Sequence, residues 1–146
     1  MDFPLFLVPV LVGLITQAVK PLLNKQWYAH PHKENRILPR YGGMPSAHTA
    51  FAFSLATVVA FSEGFFSATF AVVAAIVIFI LDDALRMRIF LGRHGQALRQ
   101  LIHRLPEDER KSYPYLETRL GHKINEVVAG AILGTTITAI IMFFIA

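Results

Sequence analysis

The sequence predicts an all-α fold, a polytopic membrane bundle of four transmembrane helices with one amphipathic helix lying in the membrane interface. Three observations lead there. Of the 146 residues, 54% are hydrophobic and only 16% charged, against about 25% charged in an ordinary soluble domain. The apolar residues fall into four blocks, each long enough or nearly so to cross the roughly 30 Å of hydrocarbon that takes about 20 helical residues. All 14 Lys and Arg residues lie in two stretches, Lys20–Arg40 and Arg86–Lys123. The length fits a single integral membrane domain, 1–146. A mean hydropathy of +0.48 excludes intrinsic disorder. The absence of cysteine excludes disulfides and thiolate chemistry.

The first block is 3–23, interrupted by Gln17 and Lys20 near its end. It has no basic n-region and no small-residue cleavage site, so it is expected to be a span and not a cleaved signal peptide. The second, 45–61, is short and dotted with Ser46, His48, Thr49, Ser54 and Thr57. Its Pro45 suits the first turn of a helix, where a missing N–H costs nothing. The turn Ser62-Glu63-Gly64 makes a hairpin with the third block, 65–82, which Asp82 and Asp83 close. The fourth, 124–145, carries Asn125 and Glu126 in its first turn and is apolar thereafter. Gly130-x3-Gly134 within it permits close helix approach, inside one subunit or in a homo-oligomer. Between the third and fourth blocks, apolar residues from Ile89 to Leu105 recur at helical spacing, with Arg93, Arg99, Gln100 and Arg104 on the other face. That pattern predicts a basic interfacial helix over 89–105, ended by Pro106. Tyr113-Pro114-Tyr115 follows as an aromatic anchor.

With four spans, both basic stretches fall on one side of the membrane. The positive-inside rule makes that side cytoplasmic and puts both termini outside. The net charge of +4 then reflects attraction to anionic inner-leaflet lipids, with no nucleic acid implied. The alternation of spans also gathers an unusual set of polar residues at one depth: Lys20, the loop Gly42–His48, Asp82, Asp83, Arg86, Arg88, Gly121, His122 and Glu126. Singly, each has a plain structural reading as a snorkelling cation, a turn or an i,i+4 pair. Together they make an anion site. Two helix N-termini supply free N–H groups and positive dipole ends, and Lys20, Arg88 and Arg40 add full charge. Two histidines can divide phosphoryl transfer between nucleophile and proton donor, with a carboxylate one turn away holding one imidazole. No cofactor or metal is required. A metal site from His48, His122, Glu126 and Asp83 has enough ligands, but the surrounding cations would repel the ion.

Gly-Gly-Met-Pro-Ser-Ala-His, the Asp83-x4-Arg88 step and Leu-Gly-His-x3-Glu-Val-x2-Gly at 120–130 resemble the divergent branch of the type-2 phosphatidic acid phosphatase superfamily, related to vanadium haloperoxidases. The resemblance implies that His122 is the nucleophile forming a phosphohistidine, Glu126 its relay, and His48 the general acid. It implies that Ser46, the Ala47 N–H, Lys20 and Arg88 hold the phosphate, with Asp83 supporting Arg88. The sequence departs from the superfamily pattern in several places. Ala47 replaces a glycine, Glu126 an aspartate, and the Ser-Arg pair upstream of the nucleophile is missing. Lys33-x6-Arg40 has the first motif's spacing, but Tyr41 follows where proline is expected. Four spans replace the usual six. The expected function is a metal-independent lipid phosphate phosphatase acting on a monoester or diphosphate at the cytoplasmic face. The alternative is a non-catalytic membrane protein that keeps the fold to bind anionic lipid or an assembly partner.

Overall fold

The computed structural model describes residues 4–23, 43–114, 116, 118 and 120–145; Arg40 and the Lys33-x6-Arg40 spacing lie outside them. Every regular element among the described residues is helical. Helix α1 is Leu7–Leu23 and α2 is Ala47–Glu63. Ser46 starts α2 as its N-cap, accepting the Thr49 N–H at 3.4 Å, so Pro45 precedes the helix and does not sit in its first turn. Helix α2 runs through Ser62 and Glu63, two residues that the sequence places in the turn. The reversal is made at Gly64, whose φ of +84° suits a residue without a Cβ. Ser67 then caps α3, Ala68–Asp82, by accepting the Phe70 N–H at 3.1 Å.

Helix α3 does not stop at the aspartates. It passes through a π turn, Asp83–Met87, straight into α4, Arg88–His103. The basic amphipathic helix is therefore not a separate element: Ala68–His103 is one continuous run of 36 residues. Pro106 ends it, a one-turn α5 follows at Glu107–Arg110, and the chain returns along α4 to α6, Ile124–Ile145.

Helix α2 is the hub, touching α6, α1 and α3, while α1 also meets α6. Val8, Val12, Ala50, Val58 and Met142 form the core between them. The Gly130-x3-Gly134 stripe packs inside the subunit: a Cβ on Gly130 would run into the Ser46 carbonyl, and one on Gly134 into that of Ala50. Buried hydroxyls close the same seam, Ser54 bonding Thr138 at 2.5 Å. Outside the core the distribution is inverted. Large apolar side chains such as Phe66, Ile78, Phe79, Phe143 and Phe144 stand exposed, which suits hydrocarbon and not water. Ala68–His103 and Ile124–Ile145 are long and apolar enough to cross a membrane, and α1 is a shorter apolar helix.

Candidate functional site

The starts of α2 and α6 are tied together by their backbones. The Ser46 N–H donates to the Glu126 carbonyl at 2.9 Å, and Gly130 lets α6 lie against the same residue. His48, in the first turn of α2, and His122, just ahead of α6, therefore come from one rigid junction. Facing them is the α3–α4 run. Between lies a cavity of ≈ 280 Å³ lined by His48, His122, Asp83, Ala84, Arg88 and an apolar wall of Ile76, Phe79 and Ile80.

The π turn shapes the far side of this cavity. In a regular α-helix, residues five apart point about 140° away from each other. The wider π turn closes that gap, and the Arg88 Nε meets Asp83 Oδ2 at 2.6 Å. The same turn receives His122: its main-chain N–H donates to the Ala84 carbonyl at 3.2 Å. Gly121 makes the approach possible, since its φ is +93° and a Cβ there would meet Ile89 Cγ1 at 3.0 Å. Further along, a Cβ on Gly92 would meet the Thr118 carbonyl at 3.0 Å. The segment leading into His122 is thus laid along α4 at its glycines.

The His122 side chain is only 6% exposed, and its Nδ1 lies 3.3 Å from Glu126 Oε2. That contact is close enough for charge but not aligned as a hydrogen bond. Glu126 has a second task, because Oε2 also accepts the Lys123 N–H at 3.2 Å, as a capping-box glutamate does. Burial pushes the His122 imidazole below the ordinary histidine range; the Lys20 charge adds to this, and Glu126 opposes it. His122 is therefore held neutral at neutral pH. Lys20 is 4% exposed, so it is not a snorkelling cation at the helix end. It lies within electrostatic reach of Glu126, His48 and His122.

Of the residues singled out in the sequence, His48, His122, Asp83 and Arg88 share the cavity, with Lys20 and Glu126 behind them. Ser46 and Ala47 are not on its lining. Ser46 is fully buried, and its hydroxyl accepts from Thr49 Oγ1 at 2.9 Å. It serves the helix start. Arg86 pairs with Asp82 at 2.8 Å on the exterior, a contact of small worth to stability. The apolar wall and the Ala84 carbonyl escaped sequence reasoning. The five-residue step from Asp83 to Arg88 was the one signal of a π turn. Among the described residues no three His, Asp or Glu side chains group as metal ligands would, so His48, His122, Asp83 and Glu126 do not form the four-ligand cluster considered above.

No solved structure matches the chain. A membrane protein of Bacillus subtilis (strain 168), named as the uncharacterized membrane protein YuiD, is 31% identical over 114 residues, covering 70% of this chain and 72% of its own. The family model described as the divergent PAP2 family matches residues 1–137, and the chain belongs to that family.

Proposed function

We propose that this protein is a metal-independent lipid phosphate phosphatase, a four-pass membrane protein whose site faces the cytoplasm. The observation that carries the reading is the convergence of His48, His122 and Arg88 on one cavity that has an apolar wall. A headgroup phosphate fits among the polar side chains, while its chain lies along Ile76, Phe79 and Ile80. Neutral His122, with Nδ1 turned toward Glu126, attacks phosphorus through Nε2. The bond from phosphorus to the leaving oxygen breaks, and protonated His48 donates a proton to that oxygen. Water then attacks the phosphohistidine, His48 takes up the proton, and phosphate leaves with His122 restored. Arg88 and Lys20 offset the phosphoryl charge. The basic stretches on one side set the orientation, with anionic inner-leaflet lipids as neighbours.

The test is phosphate release, in chelator, from phosphatidic acid, phosphatidylglycerophosphate and polyprenyl diphosphate by the purified protein. At least one is expected to turn over. His122→Ala should lower release by about 10⁴-fold or more, and His48→Ala by about 10² to 10⁴. Release that is unchanged in His122→Ala overturns the mechanism.

One observation favours a second reading, a lipid-binding protein without turnover: the Ser46 hydroxyl is occupied by Thr49 and lies off the cavity, which leaves fewer phosphate donors. That reading predicts retention of lipid phosphates by the wild type with no phosphate released.

A further inference from the structure

A carboxylate stands on the wall of the cavity at His48 and His122, and the proposed chemistry gives it no task beyond pairing with Arg88. Ile76, Phe79, Ile80 and Asp83 stand at i, i+3, i+4 and i+7, so they form one stripe along α3, and all four line the cavity. Asp83 lies about 4.5 Å beyond Ile80 along the helix axis and about 10 Å beyond Ile76. The π turn sets Arg88 next to it. Along this wall the order is apolar side chains, then a carboxylate, then a guanidinium. A ligand whose chain lies on Ile76 and Ile80 and whose phosphate meets Arg88 must carry its linking atoms past Asp83.

Two details make that passage selective. Among the described residues Arg88 is the only Lys or Arg on the lining, and its Nε is held by Asp83 Oδ2 at 2.6 Å. Its two terminal nitrogens are left for the ligand, one fork for two oxygens of a single phosphoryl group. The Asp83 side chain is also 46% exposed, so the pairing does not hide it from a ligand. Its charge reaches His48, the proton donor to the leaving oxygen in the proposed step. Asp83 thus stands beside the leaving group.

That position has opposite consequences for two classes of lipid phosphate. Attack by His122 on a monoester breaks the bond from phosphorus to the ester oxygen, His48 protonates that oxygen, and a neutral alcohol departs past Asp83. On a diphosphate the same step breaks the bond to the bridging oxygen. The group opposite Asp83 is then a lipid monophosphate with negative charge of its own. Like charges a few ångströms apart repel, and one guanidinium fork cannot serve two phosphoryl groups. A neutral linkage that carries a hydroxyl can instead donate to the carboxylate.

We propose that Asp83 is a specificity-determining residue, a carboxylate that admits lipid phosphomonoesters and turns lipid diphosphates away. The proposal rests on the reading of this cavity as a lipid phosphate site and narrows its substrate class. It concerns binding, so it is measured without turnover.

The experiment is calorimetric titration of the full chain in neutral detergent with two probes of matched chain, decylphosphonate and the decyl monoester of methylenediphosphonate. The proposed step can cleave neither, and micelle partition affects both alike. The wild type is expected to bind the monophosphonate about tenfold more tightly or better. Asp83→Asn, which keeps an oxygen for Arg88, should shrink that ratio by about tenfold, and Asp83→Glu should keep most of it. Arg88→Gln is the reference and should weaken both probes. A wild type that favours the diphosphonate overturns the proposal, whether or not the variants fold. So does a ratio unchanged in Asp83→Asn while both affinities fall together, since the carboxylate would then only position Arg88. That result would leave phosphate release, and the reading built on it, untouched. A shifted ratio in a protein that releases no phosphate would end the phosphatase reading and keep the selectivity; binding of neither probe would end both.

Discussion

Where α2 meets α6, two backbones close on each other across Gly130 and Gly134, and Ser54 and Thr138 bond in the interior. Where α3 runs on into α4, most side chains are exposed or half-buried, and only Val73, Ala84 and Gly92 are buried. The first region leaves no slack. It fixes the helix starts that carry His48, His122 and Glu126. The second buries few of its residues, and it brings Arg88, Asp83 and the apolar wall. Both sides of the candidate site thus come from one chain with unequal tolerance, a tight seam for the imidazoles and an open limb for whatever enters between.

The sharpest way to break this contrast is to add one methyl to each of two helix glycines. In Gly134→Ala the new Cβ would come within 2.8 Å of Ala50 Cα, and overpacking of this kind costs about 2–3 kcal/mol. In Gly13→Ala the nearest atom is Phe51 Cβ at 3.5 Å, an ordinary contact, so better helix propensity should leave stability equal or raised by up to about 1 kcal/mol. Thermal unfolding in detergent compares the two. Equal losses would mean that the α2–α6 seam is no tighter than the α1–α2 contact.

A second change addresses the limb. Inserting one alanine after Leu85 adds a residue that the turn does not accommodate and rotates everything after it by about 100°. That swings Arg88 away from Asp83 and the cavity. Phosphate release should fall by about 10²-fold, with the melting temperature moved less than in Gly134→Ala. Full activity in the insertion variant would show the register set by the π turn to be incidental.

The smallest effect concerns the burial of His122. Because burial and Lys20 depress its pKa while Glu126 raises it, the neutral nucleophile should persist below the usual histidine range. The acid limb of kcat/KM should then lie below pH 6.5, the ordinary value. Glu126→Gln removes the opposing charge and should carry the limb lower still. A limb at or above 6.5 in the wild type would show that the imidazole is not held in a desolvated place.

Much of the helix pattern was legible because long apolar runs leave few alternatives. The block 124–145 is the helix Ile124–Ile145, and 65–82 contains Ala68–Asp82. The gathering of His48, His122, Asp83 and Arg88 was legible too, since helices of alternating direction bring their ends to one level. What could not be read was whatever depends on backbone detail. Pro45 looked like a helix start, but the Ser46 side chain found a donor in Thr49 N–H and took the capping position. The apolar rhythm after Arg88 marked a helix, yet periodicity carries no sign of whether it joins the preceding one. Lys20 looked able to snorkel until α1 was packed against α2 and α6. Nothing in residue type distinguishes Ala84 from any other alanine, because its part is played by its carbonyl.

Phe79, which forms part of the cavity wall, is 76% exposed, so the protein does not finish that wall by itself. On the four-pass reading, the missing surface is made of acyl chains. The thickness and order of the surrounding lipid then act as an adjustable component of the binding pocket. The same polypeptide would hold a given substrate differently in a short-chain bicelle and in a long-chain vesicle, with no change in any residue.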